Sequence, residues 1–508
     1  MGVLHKIPAL PVVNPQAEYY PLELQTRNSI TRAQTSGIRV SVAVIIFLCY
    51  AAWMLAWFGD DAHGGNAPLG VPKYLQRRWG QYAPWYPNDE YEPPPFGCNI
   101  TQLTITIDQA VATVAATSGS ICVAFAVFPV NIKIKLQRHG ARYPNAEDGA
   151  EYFKAIQRLI SAEKFKDSRL EFLLDYEYEL GEDDLVPFGA AQSFDAGKIA
   201  YERYVHLVNP GSVPFVRASG VQRVISTATN WTVGFAAASR QRYNPALNVI
   251  LSEEVNNTLN NDCPNAGDGS RQTGEWVATF APPHTTRLNK AAPGANLTDM
   301  DVYYLLAMCP FETVAKETAS PFCDLFTKND FRAFEYFGDL EKYYKTGYGE
   351  PLGPIQGVGY VNELLARLTD TPVRDHTQAN SSLDFPLGRT IYADFTHENT
   401  MIAIYSAIGL FNISAHPPDP RDISTAHEGW IASHMVPFSA RMVTERMECA
   451  LEAGMGGADY VRILVNDDVQ PLEFCGAREN GLCTLDAFVE SQGYARRSGD
   501  GDFEKCYN

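Results

Sequence analysis

Two stretches before residue 140 alternate apolar and polar side chains. Residues 99–107 place Leu103, Ile105 and Ile107 on one face, and residues 130–136 set Ile132 and Ile134 opposite Lys133 and Lys135. A period of two predicts strands. Between them, residues 110–130 are weakly apolar and interrupted by Thr, Ser and Gly. Beyond residue 145 the period lengthens, and residues 150–166 and 192–207 carry helical spacing. Residues 215–225 read as a strand running into a helix, and residues 393–399 close a short strand. Residues 401–411 then predict a helix with Met401, Ile404, Tyr405 and Ile408 on one face. The glycine-rich residues 351–359 lead into another helix; they lack the Gly-Lys-Ser/Thr of a phosphate-binding P-loop.

The longest apolar run, residues 40–58, is uncharged and close to the ~20 residues that span a bilayer. Arg27, Arg32 and Arg39 precede it, and Asp60 and Asp61 follow. The positive-inside rule keeps the N terminus cytoplasmic and translocates the rest. This predicts an N-terminal transmembrane helix, a type II signal anchor, behind a polar tail at 1–39. The rival reading is a signal peptide cut at Ala51-Ala52, with an unusually long leader and a secreted product. Residues 59–97, rich in Gly, Pro, Trp and Tyr, read as a stem. A second span at 110–130 is excluded, because it would return the following sequence to the cytosol.

Composition narrows the class further. The chain has 508 residues, 45% hydrophobic and 20% charged, which describes a globular protein with ample core. A net charge of -18 argues against nucleic acid as the main partner, so an anionic substrate would need a local cluster of positive charge. Sequons at Asn99, Asn230, Asn256, Asn296, Asn380 and Asn412 all follow the apolar run, as translocation requires. Of ten cysteines, Cys49 lies in that run and Cys122 in the weakly apolar stretch. Cys98, Cys263, Cys309, Cys323, Cys449, Cys475, Cys483 and Cys506 form an even set suited to an oxidising compartment. Without a Cys-x-x-Cys pair there is no support for a zinc ribbon or a thioredoxin motif.

The candidate chemistry sits at Gln137-Arg138-His139-Gly140-Ala141-Arg142-Tyr143-Pro144. Arginine forks match phosphate oxygens, and a neutral histidine between two of them can attack phosphorus. Gly140 permits a sharp turn and close approach to a ligand. Arg138 to Pro144 resembles, residue for residue, the Arg-His-Gly-x-Arg-x-Pro signature of histidine acid phosphatases. Residues 180–192, Leu-Gly-Glu-Asp-Asp-Leu-Val-Pro-Phe-Gly-Ala-Ala-Gln, resemble a segment of the fungal phytase branch. His397-Glu398 stands where the family has His-Asp, with a carboxyl one methylene further out.

That resemblance, from about residue 95 to 506, implies an α/β fold with a mainly parallel central sheet flanked by helices. A smaller helical domain, roughly 147–350, would cover the cleft of a catalytic region at 98–508. It implies the pairs Cys98–Cys449, Cys263–Cys506, Cys309–Cys323 and Cys475–Cys483. Residues 103–129 have no counterpart in the family and read as a retained intron or, second, a genuine insertion. For the site it implies His139 as nucleophile and Glu398 as the neutral acid that protonates the leaving oxygen. Arg138, Arg142, Arg223 and His397 would bind phosphate, with Arg217 close enough to be confused with Arg223. The arginines neutralise the phosphate, so no metal or cofactor is implied. The expected activity is an acid phosphatase acting on phosphate monoesters, with phytate as the expected substrate. Acidic Glu147 and Asp148 after the signature favour a broader phosphomonoesterase instead. A non-enzymatic membrane glycoprotein of the same fold is the third reading, opposed by the intact arginines and histidines.

Overall fold

The computed structural model describes residues 68–95, 98–99, 132–260, 262–377, 386–449, 457–477 and 481–508. The chain divides into two compact units, Met1–Gly65 and Asn66–Asn508, and all described residues belong to the second. The expected tail, the anchor at 40–58 and the segment 103–129 lie outside the described residues. Among the described residues no helix is long and apolar enough to cross a membrane.

The strands are β1 (Cys98–Asn99), β2 (Ile132–Arg138), β3 (Phe215–Ser219), β4 (Leu247–Leu251), β5 (Ile391–Thr396), β6 (Arg441–Cys449), β7 (Ala458–Val465), β8 (Asp468–Val469) and β9 (Cys483–Thr484). They form one sheet in the order β4-β3-β5-β2-β6-β7-β8, with β1 beside β6 and β9 beside β7. Neighbours among β4, β3, β5 and β2 are parallel, whereas every pairing of β6 and β7 is antiparallel. The sheet is therefore mixed, which corrects the expectation of a mainly parallel one. After β6 the chain returns through short connections instead of crossover helices, and short connections join antiparallel neighbours.

The principal helices are α1 (Ala146–Ile160), α2 (Pro187–Tyr204), α3 (Gln222–Ala238), α4 (Ser270–Phe280), α5 (Pro282–Ala291), α6 (Asp299–Lys316), α7 (Lys328–Lys345), α8 (Ile355–Thr369) and α9 (Glu398–Ile408). Three begin earlier than their apolar spacing suggests, for local reasons. Asn145 caps α1 by accepting from the Asp148 N–H, Pro187 occupies the first turn of α2, and α9 starts directly at Glu398.

Apolar cores lie on both sides of the sheet. Ile134 and Leu136 pack with α8 and α9 residues such as Val361, Met401 and Tyr405. Val216, Ala393 and Phe395 pack with Trp231 and Phe235 of α3. A third core, around Tyr152, Trp276, Phe311 and Phe337, joins α1, α4, α6 and α7. Residues 68–95, expected to be stem, belong to it: Trp79 is fully buried and Tyr82 nearly so. The Trp and Tyr side chains that gave this stretch its unusual composition are packing surface, so it is not a linker.

Because helices cover both faces, the alternating lysines of β2 are buried as well. Lys133 Nζ sits 3.1 Å over the Tyr204 ring centroid and Lys135 Nζ 5.2 Å over that of Trp231. Burial pulls both amines well below the usual lysine range. The unfolded chain keeps those protons up to ~10.4, so the native state is penalised below that pH and relieved as pH rises through it. Lys135→Met should therefore stabilise the protein by about 1–3 kcal/mol at pH 5–7. Thermal unfolding against pH should show the gain shrinking towards pH ~10.

Among the described residues the disulfides are Cys98–Cys449, Cys263–Cys506, Cys309–Cys323 and Cys475–Cys483, the pairing that the resemblance implied. The first ties β1 to β6 where Cys98 and Cys449 are direct partners. Since β7 occupies the other side of β6, β1 and β2 share one edge of it. Asn99 lies opposite Glu448 and Ile132 opposite Arg446, with Met447 between them. The two strands run end to end, and the intervening sequence leaves and rejoins a single strand position.

The sequons fall in unlike places. Asn296 and Asn412 are exposed, and Asn230 is half-buried on α3. Asn256 is 9% exposed and its amide donates to the Thr377 carbonyl, so it has no room for a glycan, which corrects that expectation. Asn380 and the Asn99 side chain lie outside the described residues.

Candidate active site

Strand register brings the candidate residues to one level. Arg138 pairs with Thr396, Ala218 with Phe395 and Ser219 with Leu251, so the carboxyl ends of β2, β5, β3 and β4 line up. His139 follows β2, His397 and Glu398 follow β5, Arg223 lies in the first turn of α3, and Glu253 follows β4. Ligands of open α/β sheets bind at such carboxyl ends. Here they border a cleft of about 660 Å³, lined by Arg142, Arg223, His397 and Glu398 among others.

Backbone bonds fix the signature loop. The His139 N–H donates to the Thr396 carbonyl at 3.1 Å, and its own carbonyl accepts from Ser439 at 2.8 Å. Gly140 N–H donates to Thr227 Oγ1 at 3.1 Å and Ala141 N–H to Gln192 Oε1 at 3.2 Å. A side chain on Gly140 would collide with the Gly189 carbonyl of α2. This glycine is thus required by packing against α2, not by approach to a ligand. Arg142 also bridges to Leu185, which seats residues 180–186 beside the signature.

His139 is 1% exposed. Its Nδ1 lies 2.9 Å from the Gly140 carbonyl, which can only accept, so Nδ1 carries the proton and Nε2 the lone pair. Burial, with Arg138 and Arg142, holds the imidazole well below its usual proton affinity despite Glu398 nearby. This environment favours the neutral ring. Glu398 Oε2 is 3.7 Å from that Nε2 and 3.0 Å from Arg138 Nε, while Oε1 is 3.8 Å from Lys342 Nζ. Burial opposes the Glu398 charge, but Arg138, Lys342 and His139 outweigh it and keep the carboxyl well below the usual range. This environment favours the ionised form of Glu398.

The guanidinium groups are only partly satisfied. Arg138 donates from Nη1 to the carbonyls of Gln81 and, at 2.7 Å, of Val436. Burial draws it down to about 10, so it remains charged at acidic and neutral pH. Arg142 donates to the Tyr143 carbonyl at 2.7 Å, and Arg223 to Asp183 Oδ1 at 3.1 Å. Nη2 of Arg138 and the Nε groups of Arg142 and Arg223 are buried donors without a hydrogen-bond partner among the described residues. Buried donors are rarely left unpaired, and unpaired guanidinium N–H groups suit an oxyanion. Arg217 has a different fate. It is buried on β3 and bound to Asp394 at 2.7 Å and Glu363 at 2.5 Å, which resolves its confusion with Arg223.

His397 does not simply face the cleft. Its Nε2 lies 2.7 Å from Glu253 Oε1, and its ring meets that of His139 edge-on at 5.6 Å. Sequence reasoning missed Glu253, Lys342 and Lys345. Glu253 sits in a polar run and the lysines among many charges of α7, with nothing local to mark them. His376 and His434 are not among the residues lining the cleft.

A histidine with a free Nε2, surrounded by arginines and faced by a carboxyl at a strand-to-helix turn, defines a phosphoryl-handling α/β site. The chain belongs to the histidine phosphatase superfamily (branch 2), whose family model matches residues 134–466. It is 38% identical over 455 residues to Phytase A of Arthroderma benhamiae, covering 85% of this chain and 92% of that protein. To Phytase A of Aspergillus fumigatus it is 41% identical over 397 residues, covering 73% and 83%. In fold it resembles the phytase from D. castellii, with a TM-score of 0.68 and 23% identity over 88% of this chain and 90% of that one. The Bifidobacterium longum multiple inositol polyphosphate phosphatase, solved with inositol hexasulfate, gives 0.54 at 14% identity over 83% and 98%.

Proposed function

We propose that this chain is a phytate-hydrolysing histidine acid phosphatase that works through a phosphohistidine. The observation that carries the reading is the buried His139, whose Nε2 keeps its lone pair while Arg138 and Arg142 lower its proton affinity, beside guanidinium N–H groups of Arg138, Arg142 and Arg223 left without a partner among the described residues. Nε2 attacks phosphorus while the bond to the ester oxygen breaks, and Glu398 gives that oxygen its proton. Water then attacks the phosphohistidine, yields a proton to the Glu398 carboxylate, and the P–N electron pair returns to Nε2. The ligand-free carboxylate gains its proton when the substrate binds. A phosphate monoanion engages Arg138 and delivers a proton, removing the field that had kept Glu398 ionised. The first turn of α9 adds partial positive charge beside the phosphate.

Phytate as substrate is supported by the two Phytase A relatives and by Lys342 and Lys345, cations in the cleft beyond the arginines. Glu147, Asp148, Asp268 and Glu341 also line it and favour the second reading, a broad phosphomonoesterase. Burial raises Asp148, so part of this acidity is neutralised at low pH. Phosphate release from phytate and from an aryl phosphate between pH 3 and 7 separates the readings. Release from the aryl ester alone would overturn the phytate assignment, and release from neither the whole proposal.

The Glu398 environment predicts a pH effect. Lys342 favours the ionised carboxylate, so Lys342→Met should raise the proton affinity of Glu398. Activity falls as pH rises through the value at which the acid loses its proton. The basic limb for an alkyl phosphate should therefore move to higher pH in this variant. An unmoved limb would separate Lys342 from the acid.

Residues 40–58 and 103–129, outside the described residues, complete the proposal. Residues 40–58 form a membrane anchor, supported by their uncharged apolar run and preceding arginines, with the catalytic unit in an oxidising lumen that suits its four disulfides. A reporter fused after residue 75 should stay membrane-bound and become glycosylated; release into the medium would mean cleavage. Residues 103–129 are retained intron sequence, supported by the end-to-end register of β1 and β2 on β6. A shorter transcript joining the two strands should exist and encode the better-folding form.

A further inference from the structure

We propose that Glu253 is a positioning residue of the phosphate site that acts through His397. This rests on the phosphatase reading above and adds a residue to it. Glu253 follows β4 and lines the cleft with its side chain 24% exposed. One oxygen, Oε1, accepts from two neighbours: the Ser219 hydroxyl at the end of β3, and His397 Nε2 at 2.7 Å just after β5. The carboxylate therefore clasps the carboxyl ends of three adjacent parallel strands, β4, β3 and β5. Its own position is set by close packing. A Cβ on Gly220, in the turn from β3 to α3, would come within 2.8 Å of the Leu251 carbonyl and 3.5 Å of the Glu253 N–H nitrogen. Only glycine lets the turn that carries Arg223 lie so close to the segment that carries Glu253.

The consequence for His397 is a fixed ring. A carboxylate accepts only, so Nε2 bears a proton directed at Glu253. That leaves Nδ1 as the one ring nitrogen facing a phosphate oxygen, to which it donates when the ring carries both protons. It also fixes the edge of the ring that packs against His139 at 5.6 Å, so a tilt of His397 is felt by the nucleophile. Burial weakens the Glu253 charge, but the His397 and Ser219 bonds and Arg223 outweigh it and keep Glu253 ionised. Burial and Arg142 lower the proton affinity of Arg223, and Glu398, Asp183 and Glu253 oppose them. A carboxylate beside an anion site is unfavourable in isolation, and its bonds to His397 and Ser219 give it a structural reason to be there.

A double-mutant cycle tests this on the full chain. Glu253→Ala should lower kcat/KM for an aryl phosphate by about 10- to 100-fold, the scale of a misplaced contact group. Glu253→Gln, whose amide oxygen still accepts from Nε2–H, should recover most of the loss. In a His397→Ala background, Glu253→Ala should cost less than about threefold more, because groups that act through one another are non-additive. Additive losses, or an unchanged or higher kcat/KM in Glu253→Ala alone, would overturn the proposal. Should the alanine variant fail to fold, Glu253→Met, of similar length but without the acceptor, replaces it in the cycle. Calorimetric binding of inorganic phosphate by the same four proteins gives a second readout. If the wild type shows no turnover, the phosphatase reading fails, while coupled losses of phosphate binding would still uphold the link between Glu253 and His397.

Discussion

Replacing His139 by alanine should reduce turnover of every phosphate ester by about 10⁴-fold or more, the scale of removing a covalent nucleophile. The reason is positional. His139 is held by backbone bonds to Thr396 and Ser439, and its Nδ1 proton is committed to the Gly140 carbonyl. The other ring in the site, His397, has Nε2 engaged by Glu253 and cannot replace it. Inorganic phosphate should still bind in calorimetry, because Arg138, Arg142 and Arg223 remain. The variant should also lose less stability in acid. A buried histidine with lowered proton affinity destabilises the native state as pH falls below ~6.5, where the unfolded chain takes up the proton. Retained turnover in a folded His139→Ala protein would eliminate the phosphohistidine mechanism.

Glu398→Gln should produce a loss that depends on the leaving group. The amide keeps the shape of the side chain but has no acidic proton to give. For an inositol or other alkyl phosphate the rate should fall by ~10²–10⁴-fold, the usual worth of general acid catalysis. An aryl phosphate, whose phenolate departs with little help, should lose far less. Binding should move the other way. The carboxylate lies 3.0 Å from Arg138 Nε and competes with phosphate for it. Removing its charge should lower KM and the inhibition constant for inorganic phosphate while kcat falls. Glu398→Asp should retain activity, although its shorter reach withdraws the carboxyl from Arg138. Equal losses on aryl and alkyl esters would show that Glu398 is not the proton donor.

Much of the site was legible because its chemistry is local in sequence. The run Arg138 to Pro144 holds His139 and two arginines in seven positions, and His397-Glu398 are adjacent. Adjacent residues at the end of a strand must enter the same turn, so a short motif is enough to report them. Arg223 and Arg217 show where this stops. Arg217 lies within a strand pattern and Arg223 six residues further on, and only burial against Asp394 and Glu363 identifies Arg217 as structural. The protonation of Glu398 was likewise beyond the sequence, because Lys342 reaches it from α7, far away in the chain.

The sequence by itself determined the family and the cysteines that pair, and it singled out His139 and Glu398, since these are carried by residue identity at fixed spacing. Tertiary structure alone decided the direction of the strands beyond β2, the burial of Lys133 and Lys135, and the packing of residues 68–95. It alone decided that Gln81, from that supposed stem, supports Arg138. The physical reason is the same in each case. Periodicity reports which side chains share a face, but what covers the face is set by elements distant in sequence. Proton affinities and hydrogen-bond partners depend on that cover, because burial and neighbouring charge, not residue type, decide which ionisation state is favoured.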